Sequence, residues 1–293
     1  MTLLLRYFAT SEPVQKKRKI ELPAAASALA ARLQALAPNK EQAFEVVPLD
    51  DGGESWYLLF PHYMPSGRAQ ENVGIHTTFA EEWCHGNPVK ARLLNISKQG
   101  QSFPVFEDHF SCVYSVLEDQ TIKYTGTTHK ASPLPAGCVG SWLLRQVQQA
   151  TDEPMQTTGP SDSLPRYTTV LKNFYAAKLE HSVGRHSDDD KHVPPQWDVL
   201  APIFSLSWGG TRTFVLTPKP VSEGGPVRKN GSHEKVYIDL EDGDLLVMGG
   251  RCQLTHWHEV PKYPKSAPVR RDRIKWTLRK HFPPPQKPSA PLK

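Results

Sequence analysis

The run Arg273-Ile274-Lys275-Trp276-Thr277-Leu278-Arg279 constrains this chain more than any other segment. Its core is apolar and β-branched, so it reads as a strand, and side chains on a strand alternate between two faces. Arg273 and Arg279 lie six residues apart and therefore share one face. Two guanidinium groups turned into a barrel interior are tolerable only if an anion meets them, because an unpaired buried charge is prohibitively costly. An organic dianion meets that requirement, since a guanidinium is permanently charged and grips both oxygens of a carboxylate at once.

Upstream, His186-Ser187-Asp188 reads His-x-Asp, and His256-Trp257-His258-Glu259-Val260-Pro261 adds two further imidazoles. Two imidazoles and one carboxylate bind one face of an Fe(II) ion and leave the other face open. By itself His-x-Asp is weak, since a chain with 12 histidines produces chance matches. Context strengthens it. The motif follows a strand-like run ending at Tyr175, the second histidine follows the strand-like run Asp244–Met248, and both would sit at one mouth of a barrel. Either His256 or His258 could complete the set. His181 and His192 read as loop surface.

The 293 residues are enough for one well-buried core with tails, or two small domains. A hydrophobic content of 38% fits a globular protein, while 27 prolines and 19 glycines favour loops and short strands over a helical bundle. No apolar stretch approaches a membrane span, so no membrane partner is expected. Cys84, Cys112, Cys138 and Cys252 are scattered without Cys-x-x-Cys spacing, which fits a reducing compartment. The net charge of +5 permits a polyanionic partner without demanding one. A monomer is expected.

Along the chain, residues 1–20 read as a disordered tail and residues 21–40 as a helical linker, with alanine- and leucine-rich residues 23–37 as the helix. Residues 41–165 are mixed, with a strand at Trp56–Phe60, a helix at Gly137–Ala150, and a lid over the substrate drawn from this stretch. Residues 166–281 read as strands: Tyr167–Tyr175, Pro202–Trp208, Thr213–Thr217, Val236–Leu240, Leu245–Met248 and Arg273–Leu278. Gly209-Gly210 and Gly243-Asp244 would be tight links between successive strands, and residues 218–233 a long hairpin loop. The expected fold is mainly β with flanking helices, a jelly-roll barrel. Residues 282–293 form a proline-rich tail.

Taken as a set, Asn173-Phe174-Tyr175, His186-Ser187-Asp188-Asp189-Asp190, the run Pro202–Gly209, the run Gly243–Met248, His258-Glu259-Val260-Pro261-Lys262 and Arg273–Arg279 resemble the AlkB family of Fe(II)/2-oxoglutarate-dependent nucleic-acid dealkylases. The runs keep the family's order and spacing over roughly residues 165–281, and a looser match extends upstream through Ile122–Gly126 and Ser132–Pro135. The resemblance implies a double-stranded β-helix oxygenase barrel using Fe(II), 2-oxoglutarate as co-substrate and O2. It implies His186, Asp188 and His258 as iron ligands, favouring His258 over His256 because Glu-Val-Pro-Lys follows it. Arg273, assisted by Asn173 and Tyr175, would hold the distal carboxylate of 2-oxoglutarate, with Arg279 near the metal-side carboxylate. No catalytic residue beyond the metal site is implied. Asp190 matches a position that contacts the exocyclic nitrogen of the target base, and Tyr124 is a further substrate-binding candidate. Ile96 stands where relatives acting on duplexes carry an apolar wedge. Lys275 departs from the pattern, which has asparagine between the two arginines.

The activity so implied is oxidative removal of N-alkyl groups from damaged DNA bases such as 1-methyladenine and 3-methylcytosine. The alternatives are an RNA N-methyl demethylase and a catalytically weak binder of alkylated DNA. Leu4, Tyr7 and Phe8 resemble the box that docks on the replication sliding clamp, though Met1 stands where its glutamine is usual. Lys16-Lys17-Arg18-Lys19 reads as a nuclear-import patch, with a mitochondrial presequence as the rival reading.

Overall fold

The computed structural model describes residues 24–86, 93–98, 101–106, 109–124, 127–151, 167–189, 198–225, 234–267 and 269–281. In chain order the elements begin with α1 (Ala24–Leu36), β1 (Glu45–Pro48), β2 (Ser55–Phe60), α2 (Ala69–Asn72) and α3 (Phe79–Cys84). Then come β3 (Leu93–Lys98), β4 (Gln101–Phe106), β5 (Phe110–Ser115), β6 (Thr121–Tyr124), β7 (Thr127–Lys130), β8 (Ser132–Pro133) and α4 (Val139–Ala150). The remainder is β9 (Thr169–Tyr175), β10 (Val183–His186), β11 (Ile203–Gly209), β12 (Arg212–Pro218), β13 (Val236–Leu240), β14 (Leu245–Gly250), α5 (Cys252–Thr255), β15 (His256–Val260) and β16 (Arg273–Leu278).

Two sheets face each other. The larger has the order β1-β2-β14-β11-β16-β9-β5-β8 and the smaller β10-β15-β12-β13, while β3-β4 and β6-β7 are separate two-stranded ribbons. Strands β11, β14 and β16 alternate in sequence with β10, β12, β13 and β15 of the opposite sheet, which is the double-stranded β-helix arrangement. Both faces of the large sheet are covered, so even its polar residues, such as Lys172, Asn173, Arg273 and Lys275, are buried. On one side Val170, Phe174, Phe204, Leu206, Leu245, Val247, Ile274, Trp276 and Leu278 pack with α1 and α4. On the other, Tyr175, Ile203, Leu246 and Met248 meet Phe214, Leu216, Ile238, Leu240 and Val260 of the small sheet.

Gly209-Gly210 and Gly243-Asp244 link successive strands as expected, and each carries the chain from one sheet to the other. At Gly209, with φ of 97°, a Cβ would approach the Asp272 carbonyl oxygen to 2.5 Å, so the corner needs glycine on two counts. The helix expected as a linker is part of the core: Ala26, Leu29, Ala30 and Leu33 are buried, and the Tyr63 hydroxyl donates to the Leu33 carbonyl from the adjoining loop. Residues 41–165 are likewise more than a lid and flanking helices, since β2 pairs with β14 and β5 with β9, extending the large sheet at both edges.

A buried ion pair ties the helical layer to this sheet. Lys172 on β9 donates to a Glu82 carboxylate oxygen at 2.5 Å, with Lys172 1% and Glu82 3% exposed. The other carboxylate oxygen accepts from the Val139 amide at the start of α4 and from the Thr77 hydroxyl. The N-terminus of α3 is closed by a capping box in which Thr78 and Glu81 satisfy each other's backbone amides.

Candidate metal centre and acid pocket

Two neighbouring strands of the small sheet present the imidazoles. His186 ends β10 and lies opposite His258 in the register of β10 with β15. Their ring centroids are 4.2 Å apart. Asp188 follows two residues after the strand end, and its carboxylate oxygens lie 3.7 Å from His186 Nε2 and 3.8 Å from His258 Nε2. One ligand atom from each of the three lies within 4.8 Å of the others, the only such metal-holding group among the described residues. Outer contacts fix each ligand, as metal sites require. His186 Nδ1 pairs with the Gly184 carbonyl at 2.8 Å, leaving Nε2 for the centre. The ring of His258 stacks on Phe214 at 5.4 Å. The Asp188 amide donates to Gln253 Oε1 at 2.9 Å, and Arg279 Nη2 donates to Asp188 Oδ1 at 2.6 Å.

Electrostatics prepare these groups for a cation. Burial alone would raise the Asp188 carboxyl, but Arg279, with His258, His186 and Lys275 around it, holds it well below its usual range. Burial, reinforced by the neighbouring His186, pushes His258 far down, so it is neutral with a lone pair to give.

Behind the triad the inward face of β16 carries Arg273, Lys275 and Thr277, and Arg279 follows the strand end by one residue, all buried. Arg273 is 0% exposed; its Nη2 donates to Ser207 Oγ at 2.7 Å, and its Nε and Nη1 have no hydrogen-bond partner among the described residues. Tyr175 stands opposite it in register, with the guanidinium 5.4 Å from the ring centroid. Asn173 is likewise opposite Lys275, and both line the pocket with Leu171, Thr277 and Arg279. Burial, with Arg273 adding to it, brings the Lys275 ammonium down to about 7.

The structure thus brings together His186, Asp188, His258, Asn173, Tyr175, Arg273 and Arg279. Arg279 engages the metal-ligating carboxylate itself. His256 shares the inward face of β15 but pairs with the Thr255 hydroxyl at 2.7 Å, and it stands outside the triad. His181, expected on the surface, is buried: Nδ1 meets the Phe174 carbonyl at 3.1 Å and the ring meets Phe110 edge-on. A turn at Ala177–Leu179 folds it back against β9, which no periodicity announces. Gln253, Ser207 and Lys219 were not anticipated, because none belongs to a recognisable spacing. Asp190, His192, Leu4, Tyr7, Phe8 and the basic run at 16–19 lie outside the described residues, as do the side chains of Ile96 on β3 and Tyr124 on β6.

Residues 79–279 match the 2OG-Fe(II) oxygenase superfamily. The chain belongs to that superfamily. Within it the chain is AlkB-like: over 123 residues, 41% of this chain, it is 37% identical to the alpha-ketoglutarate-dependent dioxygenase alkB homolog 3 of Mus musculus and equally to that of Homo sapiens. The matched segment spans 38% of each relative's length. A solved chain described as the structure of OsALKBH1 aligns with a TM-score of 0.43 and 18% identity, covering 77% of this chain and 96% of that one. For this oxygenase the family implies Fe(II), 2-oxoglutarate and O2. The residues fit that set. Two imidazoles with one ionised carboxylate are the Fe(II) donor set, and a wholly buried guanidinium with two partnerless nitrogens fits a carboxylate.

Proposed function

We propose that this oxygenase removes N-alkyl groups, methyl above all, from nucleic-acid bases, with 1-methyladenine and 3-methylcytosine in DNA as substrates. The observation that carries the reading is the His186–Asp188–His258 triad joined through Arg279 to a buried cationic face, in a chain whose motif set is AlkB-like. Bound iron, with 2-oxoglutarate and dioxygen, supplies the power to hydroxylate a C–H bond while the co-substrate becomes succinate and carbon dioxide. Arg279 holds Asp188 ionised and oriented, and the neutral His258 stays available as a ligand. Arg273 anchors the co-substrate, with Asn173 and Tyr175 beside it. The two sheets exclude water from everything except the mouth, where His186 keeps 35% of its side chain exposed. A base inside a duplex cannot reach that mouth, so the nucleotide arrives single-stranded or flipped out. Hydroxylation of an N-methyl carbon leaves an N–CH2OH group that falls apart to the bare nitrogen and formaldehyde.

The test incubates the full chain with Fe(II), 2-oxoglutarate, ascorbate and methylated single- and double-stranded DNA and RNA oligonucleotides, read by mass spectrometry. Methyl loss from DNA matched by succinate supports the proposal. Loss from RNA alone moves the substrate to RNA. Intact oligonucleotides with succinate still forming would reject nucleic acid as substrate. The N-terminal segment extends the proposal to a nuclear protein docked on the sliding clamp through Leu4, Tyr7 and Phe8. Unchanged nuclear retention after deletion of residues 1–20 would end the import claim, and unchanged clamp binding the docking claim.

A further inference from the structure

The pocket has more cations than its own anions can answer. Three side chains of β16 face inward, and two of them, Arg273 and Lys275, are basic; Arg279, just past the strand end, adds a third basic group. Asp188 is the one carboxylate among the described residues lining the pocket, and Arg279 has taken it. Arg273 offers two guanidinium nitrogens without a partner, Nε and Nη1. Lys275, 7% exposed, has no ion-pair or hydrogen-bond partner among the described residues; its ammonium nitrogen lies 5.6 Å from the centroid of Phe214, the ring on which His258 stacks. Arg273 and Lys275 are therefore two buried basic side chains without an anion of their own, Lys275 standing between Arg273 and the metal ligands. At about 3.3 Å per residue, the Lys275 backbone lies about 7 Å along the strand from Arg273 and about 13 Å from Arg279, so its stem starts nearer to Arg273. One carboxylate has two oxygens, one for each cation. The pocket leaves about 10 Å³ for a water-sized body. An incoming acid must therefore move the flexible lysine stem aside, and contact with the acid is what would hold the displaced ammonium.

We propose that Lys275 is a specificity-determining residue of the co-substrate pocket: with Arg273 it grips the far carboxylate of the co-substrate, so that the pocket selects 2-oxo diacids over 2-oxo acids of equal length that lack the second carboxylate. This rests on the pocket being the 2-oxoglutarate site. Lysine stands here where the AlkB pattern has asparagine, so the added charge is this chain's own feature. The charge also distinguishes gripping from filling: methionine keeps an unbranched stem without the ammonium, and arginine keeps the charge.

The experiment measures binding of 2-oxoglutarate and of 2-oxopentanoate to the full chain loaded with Mn(II), by calorimetry, for the native protein, Lys275→Met, Lys275→Arg and Arg273→Met. Lys275→Met should weaken 2-oxoglutarate roughly 10-fold, the scale of one charged hydrogen bond, and leave 2-oxopentanoate unchanged. Lys275→Arg should stay within about 3-fold of native if charge is what matters. Native affinity for 2-oxoglutarate in Lys275→Met, or equal losses for both acids, overturns the proposal while Arg273→Met still loses 2-oxoglutarate. A native, metal-loaded protein that binds no 2-oxoglutarate overturns the underlying reading as well.

Discussion

Gln253 touches no metal and lies in no motif, yet the geometry makes it a determinant of metal affinity. It is 2% exposed, on the short helix α5 between β14 and β15, and its Oε1 accepts the Asp188 amide at 2.9 Å. Its own carbonyl accepts Lys219 Nζ at 2.9 Å, and the same ammonium reaches Asp189 at 3.4 Å, so the loop bearing Asp188 is held from both sides. Gln253→Leu keeps nearly the same shape and strands the Asp188 N–H in the interior, an unsatisfied donor costing about 1–3 kcal/mol. Part of that loss appears in the folded state alone, as a melting temperature lower by several degrees. The rest appears as a carboxylate no longer held toward the imidazoles; removing such an outer contact typically weakens metal binding by about 10–100-fold. Titration with Mn(II) followed by electron paramagnetic resonance reads the Kd directly. Thr255→Val is the control: from the same helix it removes the hydroxyl's contacts with Ser55 at 2.8 Å, His256 at 2.7 Å and the Arg251 carbonyl at 3.0 Å without touching Asp188, so it should lower stability and leave the Kd alone. If Gln253→Leu melts earlier but binds Mn(II) as tightly as native, the glutamine only packs and the reasoning fails.

Other perturbations separate chemistry from scaffold. His186→Ala and Asp188→Ala should each abolish succinate formation coupled to demethylation, and retained coupled activity in both would refute the metal assignment. Lys172→Met leaves the Glu82 carboxylate buried without its cation and should destabilise the fold by about 3–5 kcal/mol in urea unfolding, whereas Lys172→Met with Glu82→Gln should recover much of it. Equal losses in the single and double variants would show that the pair is not what holds α3. His258 is kept neutral, so below its unfolded-state pKa of about 6.5 the unfolded chain takes up a proton that the folded chain refuses. Stability of the metal-free protein should therefore fall as pH drops from 7 to 5, less steeply in His258→Gln, and an identical slope in that variant would contradict the assignment.

Much of this was readable because the informative segments are strands with chemically opposite faces. The ranges of β13 and β16 match the expected runs residue for residue, and β2, β9, β11, β12 and β14 differ only at their ends. Period-two alternation says which residues share a face but not which sheet a strand joins. That is why Gly209-Gly210 reads from sequence as a tight link between strands, while only the fold shows that it is a corner between sheets. The helix at Ala24–Leu36 does carry a stripe at Leu29, Leu33 and Leu36, but the alanines on its other faces leave little contrast to show that the stripe packs on a core. Gln253, Ser207 and Lys219 act through hydrogen bonds across long sequence separations, for which a sequence carries no spacing rule. His181 reads as surface because polar residues in a loop default to it, and only the fold shows Phe110 and the Phe174 carbonyl closing over it.

Strand β16 explains how the fold keeps such a cationic pocket in place. It lies between β11 and β9, in antiparallel register with both. Its outward residues Ile274, Trp276 and Leu278 are at most 1% exposed in the helix-side core, each worth about 1.5–3 kcal/mol in burial. A slip of one residue would exchange the faces, stripping those three of their packing and driving Arg273 and Lys275 into an apolar layer where the Glu82 carboxylate is already paired with Lys172. The hydrophobic layer thereby fixes where the charges point, although it never touches them. Because the fold holds those charges unanswered, a bound diacid should stabilise this protein by mass action in proportion to its affinity, and a metal-loaded protein whose melting temperature ignores saturating 2-oxoglutarate would contradict that account.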